Sequence, residues 1–145
     1  AIGYPSVEDE MDILERYSAR VSPLSQLAPV CSAEDILSMQ AAVGEIYCSR
    51  EVRSYVATIA AATRRHPALQ LGVSTRGAIA LIRAAQACAL LAGRDFIIPE
   101  DVQRMALPVL THRVMLSPEA RMKGVAADRV IAGLLETTQV PVRVP

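Results

Sequence analysis

The sequence has few aromatic residues and no excess of charge of either sign. Of 145 residues, four are Tyr, one is Phe and none is Trp, while 52% are hydrophobic. A core must therefore be built mainly from Ala, Leu, Ile and Val, which suits closely packed helices in a single domain. Fifteen basic residues balance fifteen acidic ones, so the basic excess that is typical of nucleic-acid-binding domains is missing. We therefore expect no nucleic-acid partner.

Cysteine is also scarce, and long apolar runs are missing. Cys31, Cys48 and Cys88 lie far apart without a CxxC pair, so we expect no metal site. Their apolar neighbours predict small buried side chains in a reducing cytoplasm. No run approaches the ~20 apolar residues of a membrane span, and the first residues do not resemble a signal peptide. We expect a piece of a longer cytoplasmic protein without a membrane span.

Catalytic motifs are missing as well. The sequence contains no GxSxG, no HExxH and no GxxxxGK[ST] loop, and its one lysine is Lys123, so this chain has no P-loop of its own. His66 and His112 each lie beside an arginine near a predicted helix end, which favours a terminal role over a catalytic one. The acidic pairs fall in predicted first turns, where the helix dipole favours negative charge. A catalytic carboxylate pair is therefore not expected.

Helix-start signals predict an all-α bundle of about six helices. Serine and aspartate three residues apart form a capping box twice, two further serines are suited to the N-cap, and one proline is suited to the first helical position. A sixth helix is indicated by apolar spacing over residues 130–135. Residues 29–31 and 114–116 could form a short two-stranded β piece. The five start signals are Ser6, Ser32, Ser49, Ser74 and Pro99.

Arg76 stands out at the start of one of the most hydrophobic predicted helices, which is apolar nearly all round and which we therefore expect to be central and buried. With Ser74 as the N-cap, Thr75 and Arg76 take the first two helical positions, where a cation costs about 0.3–1 kcal/mol. One interpretation pairs Arg76 with a nearby carboxylate or carbonyl. The other has Arg76 and the free amides bind an anion through charged hydrogen bonds worth roughly 1.5–3 kcal/mol each. The residues alone leave both open.

The order of several motifs closely resembles the small helical lid of MoxR-family AAA+ ATPases. The similar segments are "AIGYPSVEDEMDIL" at the start, "HPALQLG" before the arginine, "GVSTRGAIALIRAAQACALLAGRDFIIPEDVQRMALPVLTHR" around and after it, and "VMLSPEA" beyond. Each segment is weakly specific alone, whereas their order and spacing are specific and extend over nearly the whole chain. The sequence departs from the commoner pattern at Thr75, where proline is usual, and at Gly77, where alanine is usual.

The resemblance implies a site that this chain shares with an upstream domain. ATP with Mg²⁺ would lie between an αβα domain carrying the Walker motifs and this lid, which would not itself bind the Mg²⁺. Arg76 would be the sensor 2 residue that reaches the γ-phosphate, with Ser74 and Thr75 close to the nucleotide. Residues 1–5 would be the hinge from the upstream domain, with Ile2, Tyr4 and Pro5 near the adenine. Residues 6–140 would form the lid and 141–145 a tail.

The resemblance also implies an activity and partners. The full-length protein would hydrolyse ATP, while this chain alone would be inactive. Subunits would form a ring, which we expect to be a hexamer, and would remodel a von Willebrand A domain protein or another client. The alternative is a helical adaptor domain with no nucleotide role. A third class, the DNA-associated lids of related motors, is disfavoured by the zero net charge.

Overall fold

The computed structural model describes residues 3–18 and 23–141, which fall into two compact units, Ala1–Ile36 and Leu37–Pro145. The all-α prediction is confirmed, with seven α-helices and one small sheet in the described residues. None of these helices has the length and hydrophobicity that spanning a bilayer requires. The α-helices are α1 (Val7–Ser18), α2 (Ala33–Glu45), α3 (Arg50–Arg65), α4 (Thr75–Leu91), α5 (Pro99–Leu110), α6 (Pro118–Met122) and α7 (Ala127–Thr137).

The first unit contains α1, which begins at the predicted capping box. The Ser6 hydroxyl accepts a hydrogen bond from the Asp9 amide at 3.2 Å, and the Asp9 carboxylate accepts from the Ser6 hydroxyl at 2.6 Å and its amide at 3.3 Å. These bonds, the hydroxyl's first, lower the pKa of Asp9. A 3₁₀ turn follows at Pro23–Gln26. Every residue of α1 is exposed, including the apolar side chains of Val7, Met11 and Leu14.

The predicted start of α2 is also confirmed. The Asp35 carboxylate accepts from the Ser32 amide at 2.7 Å and from its hydroxyl at 2.9 Å, and both bonds lower the pKa of Asp35. The predicted burial of Cys31 was wrong, because Cys31 is exposed, as is every other residue from 27 to 41. The same exposure explains why residues 29–31 form no strand.

The second unit has the core that the composition predicts. Helix α5 packs along α4, α3 contacts α4, and α7 contacts both α3 and α5. The helices enclose aliphatic side chains, and Tyr55 is the one buried aromatic residue in the described part of this core. The largest side chains with no more than 1% exposure on these helices are Ile59, Leu81, Leu110, Ile131 and Val102.

Helix α4 is less enclosed than its hydrophobicity predicts. Its buried stripe repeats every four residues through Leu81, Ala85 and Ala89, so the neighbouring helices cover a single face. Ile79 is 56% exposed and Leu91 is 83% exposed. The prediction that this helix is buried therefore holds for one face of α4 and is wrong for the exposed apolar side chains on the rest of its surface.

The sheet has two short antiparallel strands, β1 (Leu69–Leu71) and β2 (Met115–Leu116). A strand at 114–116 was predicted, but its expected partner at 29–31 was wrong. Leu69 is buried opposite Leu116, which gives this pairing an apolar contact that the exposed residues 29–31 do not offer. The sixth helix of the chain, α6, was not predicted, because its five residues are too few to show a periodicity.

An ion pair braces the connection from α4 to α5. The Asp101 carboxylate accepts from both terminal nitrogens of Arg94, at 2.7 and 2.8 Å, and from the Ile98 amide at 3.0 Å. Burial raises the pKa of Asp101, but the bonds from Arg94 and Ile98 outweigh burial and hold the pKa below its ordinary value. Asp101 therefore has a structural role beyond the dipole interaction that was predicted for it.

Candidate functional site

The start of α4 has the N-cap that the sequence predicts. The Ser74 hydroxyl accepts a hydrogen bond from the Gly77 amide at 3.2 Å, and the Ser74 carbonyl accepts from the Ala78 amide at 3.1 Å. Thr75 and Arg76 are then the first two helical residues, and within residues 3–18 and 23–141 nothing accepts from their amides. Ser74, Thr75 and Arg76 are all exposed. Two backbone amide donors and one guanidinium group are therefore exposed to solvent at the start of α4.

Arg76 has no anionic partner in the described part of the chain. Its guanidinium makes no hydrogen bond there, and the two ion pairs found there join Arg94 to Asp101 and Lys123 to Glu119. The first turn of α4 contains no acidic residue, whereas the first turn of each of the other six described helices contains at least one. No described residue therefore neutralises the positive charge at the start of α4.

The residue before the N-cap is fixed to the last turn of α3. The Val73 amide donates to the Thr63 hydroxyl at 2.9 Å, and the Val73 carbonyl accepts from Arg64 Nε at 2.8 Å. Val73 is 1% exposed and Thr63 is fully buried. We call Thr63, Arg64 and Val73 the Val73 clamp. Because the amide and the carbonyl of Val73 are both hydrogen-bonded to α3, the clamp fixes the residue that precedes the N-cap. It thereby fixes the position of Arg76 in the first turn of α4.

Glycine at position 72 permits this close approach. A Cβ added to Gly72 would lie 2.6 Å from both the Cα and the amide nitrogen of Arg64. Such distances to backbone atoms leave no room for a side chain. The closeness of the chain to α3 thus requires a residue without a Cβ immediately ahead of the Val73 clamp.

A second arginine passes the start of α4. A Cβ added to Gly77 would lie 3.5 Å from Cδ of Arg113 and 2.8 Å from Cγ1 of Val73. The Arg113 side chain therefore runs over Gly77, although the residue itself is exposed. No described residue pairs with its guanidinium. Sequence reasoning missed this residue, because 36 positions separate Arg113 from Gly77 and no local pattern joins them.

The other predicted site residues lie elsewhere in the chain. Tyr4 and Pro5 belong to the first unit and are exposed, and Ile2 lies outside the described residues. His66 ends α3 as its C-cap and accepts a hydrogen bond from the Ala68 amide at 3.2 Å through Nδ1. His112 is exposed in the 3₁₀ turn Thr111–Arg113 after α5. The predicted terminal position is thus confirmed for His66.

A groove of about 640 Å³ opens beside the start of α3 and the segment 95–99. Within it, Tyr47 forms a parallel bridge with Phe96, and the Tyr47 amide donates to the Asp95 carbonyl at 2.7 Å. None of the residues that line the groove lies on α4. The groove is therefore lined by different residues from those around Arg76.

Comparison with known families decides how this arrangement is classified. The family described as the AAA lid domain matches residues 61–134, a range that contains the Val73 clamp, Arg76 and Arg113. The chain belongs to the AAA lid domain family. Chaperone MoxR1 of Mycobacterium tuberculosis is 32% identical over 149 residues, with 97% of this chain and 39% of that protein covered. Protein MoxR of Paracoccus denitrificans is 53% identical over 47 residues, covering 32% of this chain and 14% of that protein.

Two further relatives match along nearly the whole chain. The uncharacterized protein YeaC of Bacillus subtilis is 41% identical over 142 residues, which cover 98% of this chain and 44% of that protein. A crystal structure described as a candidate ATPase from Cytophaga hutchinsonii has a TM-score of 0.84 at 28% identity, covering 97% of this chain and 45% of that one. The lid domain is thus of the MoxR type, and it spans less than half the length of these relatives.

Proposed function

We propose that this lid domain completes the ATP site of a longer AAA+ ATPase, with Arg76 as the sensor 2 residue. The upstream αβα domain would carry the Walker motifs, and ATP would lie between that domain and the start of α4. The observation that carries the proposal is the exposed Arg76, which has no anionic partner among the described residues. The other interpretation, in which Arg76 pairs with a carboxylate or carbonyl of this chain, has no such partner among the described residues.

The donors at this helix start fit a triphosphate. Phosphate oxygens accept hydrogen bonds from guanidinium groups and from amides at a helix N-terminus, and Arg76 and Thr75 present both kinds of donor. We place the Mg²⁺ ligands in the upstream domain that would carry the Walker motifs. Bound ATP would supply the phosphoryl group that is transferred to water.

Arg76 would act during hydrolysis by its charge and its position. The guanidinium would stabilise negative charge on the γ-phosphoryl group. When that group leaves, the contact is lost, and the change would reach α3 through the Val73 clamp, because both backbone groups of Val73 are bonded to the last turn of α3. The lid would then rotate about residues 1–5 as a rigid body. We also place Ile2, Tyr4 and Pro5 of this hinge near the adenine.

The wider setting is proposed from the family and from the relatives' names. One relative is called a chaperone, and we propose that the full-length protein remodels a partner, such as a von Willebrand A domain protein. We further propose a cytoplasmic ring, expected to be a hexamer, in which each lid contacts the next subunit. This chain alone, without Walker motifs, should hydrolyse no ATP.

Substitution of Arg76 in the full-length protein tests the proposal. Arg76→Ala should lower ATP turnover at least about tenfold, because one charged hydrogen bond to the γ-phosphate is worth roughly 1.5–3 kcal/mol. Arg76→Lys should retain part of the turnover, since it keeps the charge without the planar fork. The matched control is Arg129→Ala, which removes an exposed arginine from α7. Equal turnover for wild type and Arg76→Ala would favour the adaptor alternative.

A further inference from the structure

Arg113 is held beside the start of α4 by elements on both of its sides. It ends the 3₁₀ turn Thr111–Arg113, whose first amide donates back to the Leu107 carbonyl of α5. Two residues later, β2 pairs with β1, and the Ser117 amide then donates to the Ala68 carbonyl at 2.9 Å. The backbone on both sides of Arg113 is thus held by hydrogen bonds, which keep the residue close to Gly77 at the start of α4.

The contact distances at position 77 show how close the Arg113 side chain comes to α4. A Cβ there would meet Arg113 Cδ at 3.5 Å, which is ordinary van der Waals contact, and Val73 Cγ1 at 2.8 Å, which is too close. The aliphatic part of Arg113 therefore lies against the helix surface one residue beyond Arg76. Arg113 is itself exposed, and no described carboxylate forms an ion pair with it.

We propose that Arg113 is a second phosphate-binding residue of the nucleotide site, acting with Arg76 on the phosphate chain of ATP; this inference rests on the proposed function. Two arginines and the unpaired amides of one helix start bring together positive charge that no described carboxylate neutralises. A triphosphate has several anionic oxygens, enough for two separate guanidinium groups to bind at once. A single carboxylate from another protein would leave one of the two arginines without a partner.

The position of Arg113 also predicts which nucleotide depends on it more. Arg76 and Arg113 lie next to the same helix end, so both should contact the end of the phosphate chain that the sensor 2 residue reaches. Removing Arg113 should then weaken the binding of MgATP more than that of MgADP. A contact with the ribose or the base would weaken both nucleotides equally.

The test measures binding of MgATP and MgADP to the full-length protein by calorimetry. Arg113→Met keeps an apolar stem over Gly77 and removes the guanidinium, whereas Arg113→Ala removes both. Both variants should bind MgATP about tenfold more weakly, as expected for a lost charged hydrogen bond, and MgADP less than about threefold more weakly. Arg113→Lys should fall between wild type and Arg113→Met, and Arg129→Ala should bind like wild type. Thermal melting of each variant establishes that it is folded.

The outcomes separate this inference from the proposed function. If Arg113→Met binds MgATP as wild type does while Arg76→Ala does not, Arg113 is no phosphate ligand and the proposed function stands. If Arg113→Ala weakens MgATP binding but Arg113→Met does not, Arg113 acts only through the packing of its aliphatic stem on Gly77, and the inference is overturned. If neither Arg76→Ala nor Arg113→Met changes MgATP binding, the inference and the proposed function both fail.

Discussion

Replacing Thr63 by valine tests whether the Val73 clamp holds the start of α4. The hydroxyl of Thr63 accepts from the Val73 amide at 2.9 Å and donates to the Ala60 carbonyl at 2.7 Å. Valine has nearly the same shape but no hydroxyl, so the Val73 amide would be left without an acceptor at a site that is 1% exposed. A buried donor that loses its partner costs about 1–3 kcal/mol. We expect Thr63→Val to lower the free energy of unfolding by that amount.

Urea unfolding of the 145-residue chain, followed by circular dichroism, measures this loss. With a slope of about 2 kcal/mol per molar urea, the midpoint should fall by roughly 0.5–1.5 M while the slope stays unchanged. Thr58→Val is the matched control, because Thr58 lies on the same helix and its exposed hydroxyl bonds only to the Ser54 carbonyl among the described residues, at 2.9 Å. The control should change stability by less than about 0.5 kcal/mol. Equal midpoints for the two variants would refute the clamp.

Two further predictions concern stability in the second unit. Gly72→Ala should lower the free energy of unfolding by about 1–3 kcal/mol, because its Cβ would lie 2.6 Å from backbone atoms of Arg64. Gly133→Ala should raise the free energy of unfolding by up to about 1 kcal/mol, since a Cβ added at Gly133 would meet no atom of another part of the chain within 4 Å. Urea midpoints of the two variants that shift in the same direction would contradict these expectations. Asp101→Asn should be less stable than wild type at neutral pH, with a difference that narrows in acid. The pKa of Asp101 is lowered in the folded chain, so its contribution is complete above the unfolded value of about 3.9 and is lost as pH falls through the folded value. Urea unfolding of wild type and Asp101→Asn at a series of acid pH values measures this. A difference in the free energy of unfolding that stays constant with pH would contradict the role of the Asp101 carboxylate.

Helix starts could be predicted from the sequence because their determinants lie within three or four residues. The serines at 6, 32, 49 and 74 each accept from the amide three residues on, and that spacing is visible without any tertiary contact. The same holds for Thr75 and Arg76, whose positions follow from the N-cap at Ser74. The local part of the candidate site was therefore readable from the sequence.

Features that depend on distant pairing could not be predicted in this way. The partner of β2 is a segment more than forty residues earlier in the chain, and a two-residue strand has too little pattern to select it. Likewise, Arg113 comes close to Gly77 because the turn after α5 and the sheet hold the backbone on both sides of Arg113. The bond from Arg64 Nε to the Val73 carbonyl spans nine residues, and no local pattern predicts it.

The charge at the start of α4 is a local cost that other contacts of the fold offset. An exposed arginine in the first turn costs about 0.3–1 kcal/mol, whereas the hydroxyl cap of Ser74 contributes about 1 kcal/mol and the clamp fixes the residue before it. The helix therefore forms despite Arg76, but none of these contacts requires an arginine there. The other six described helices have acidic residues in their first turns, as the dipole alone would favour. An anion supplied from outside the described residues removes the conflict, because it would be attracted by the dipole, the amides and the guanidinium together.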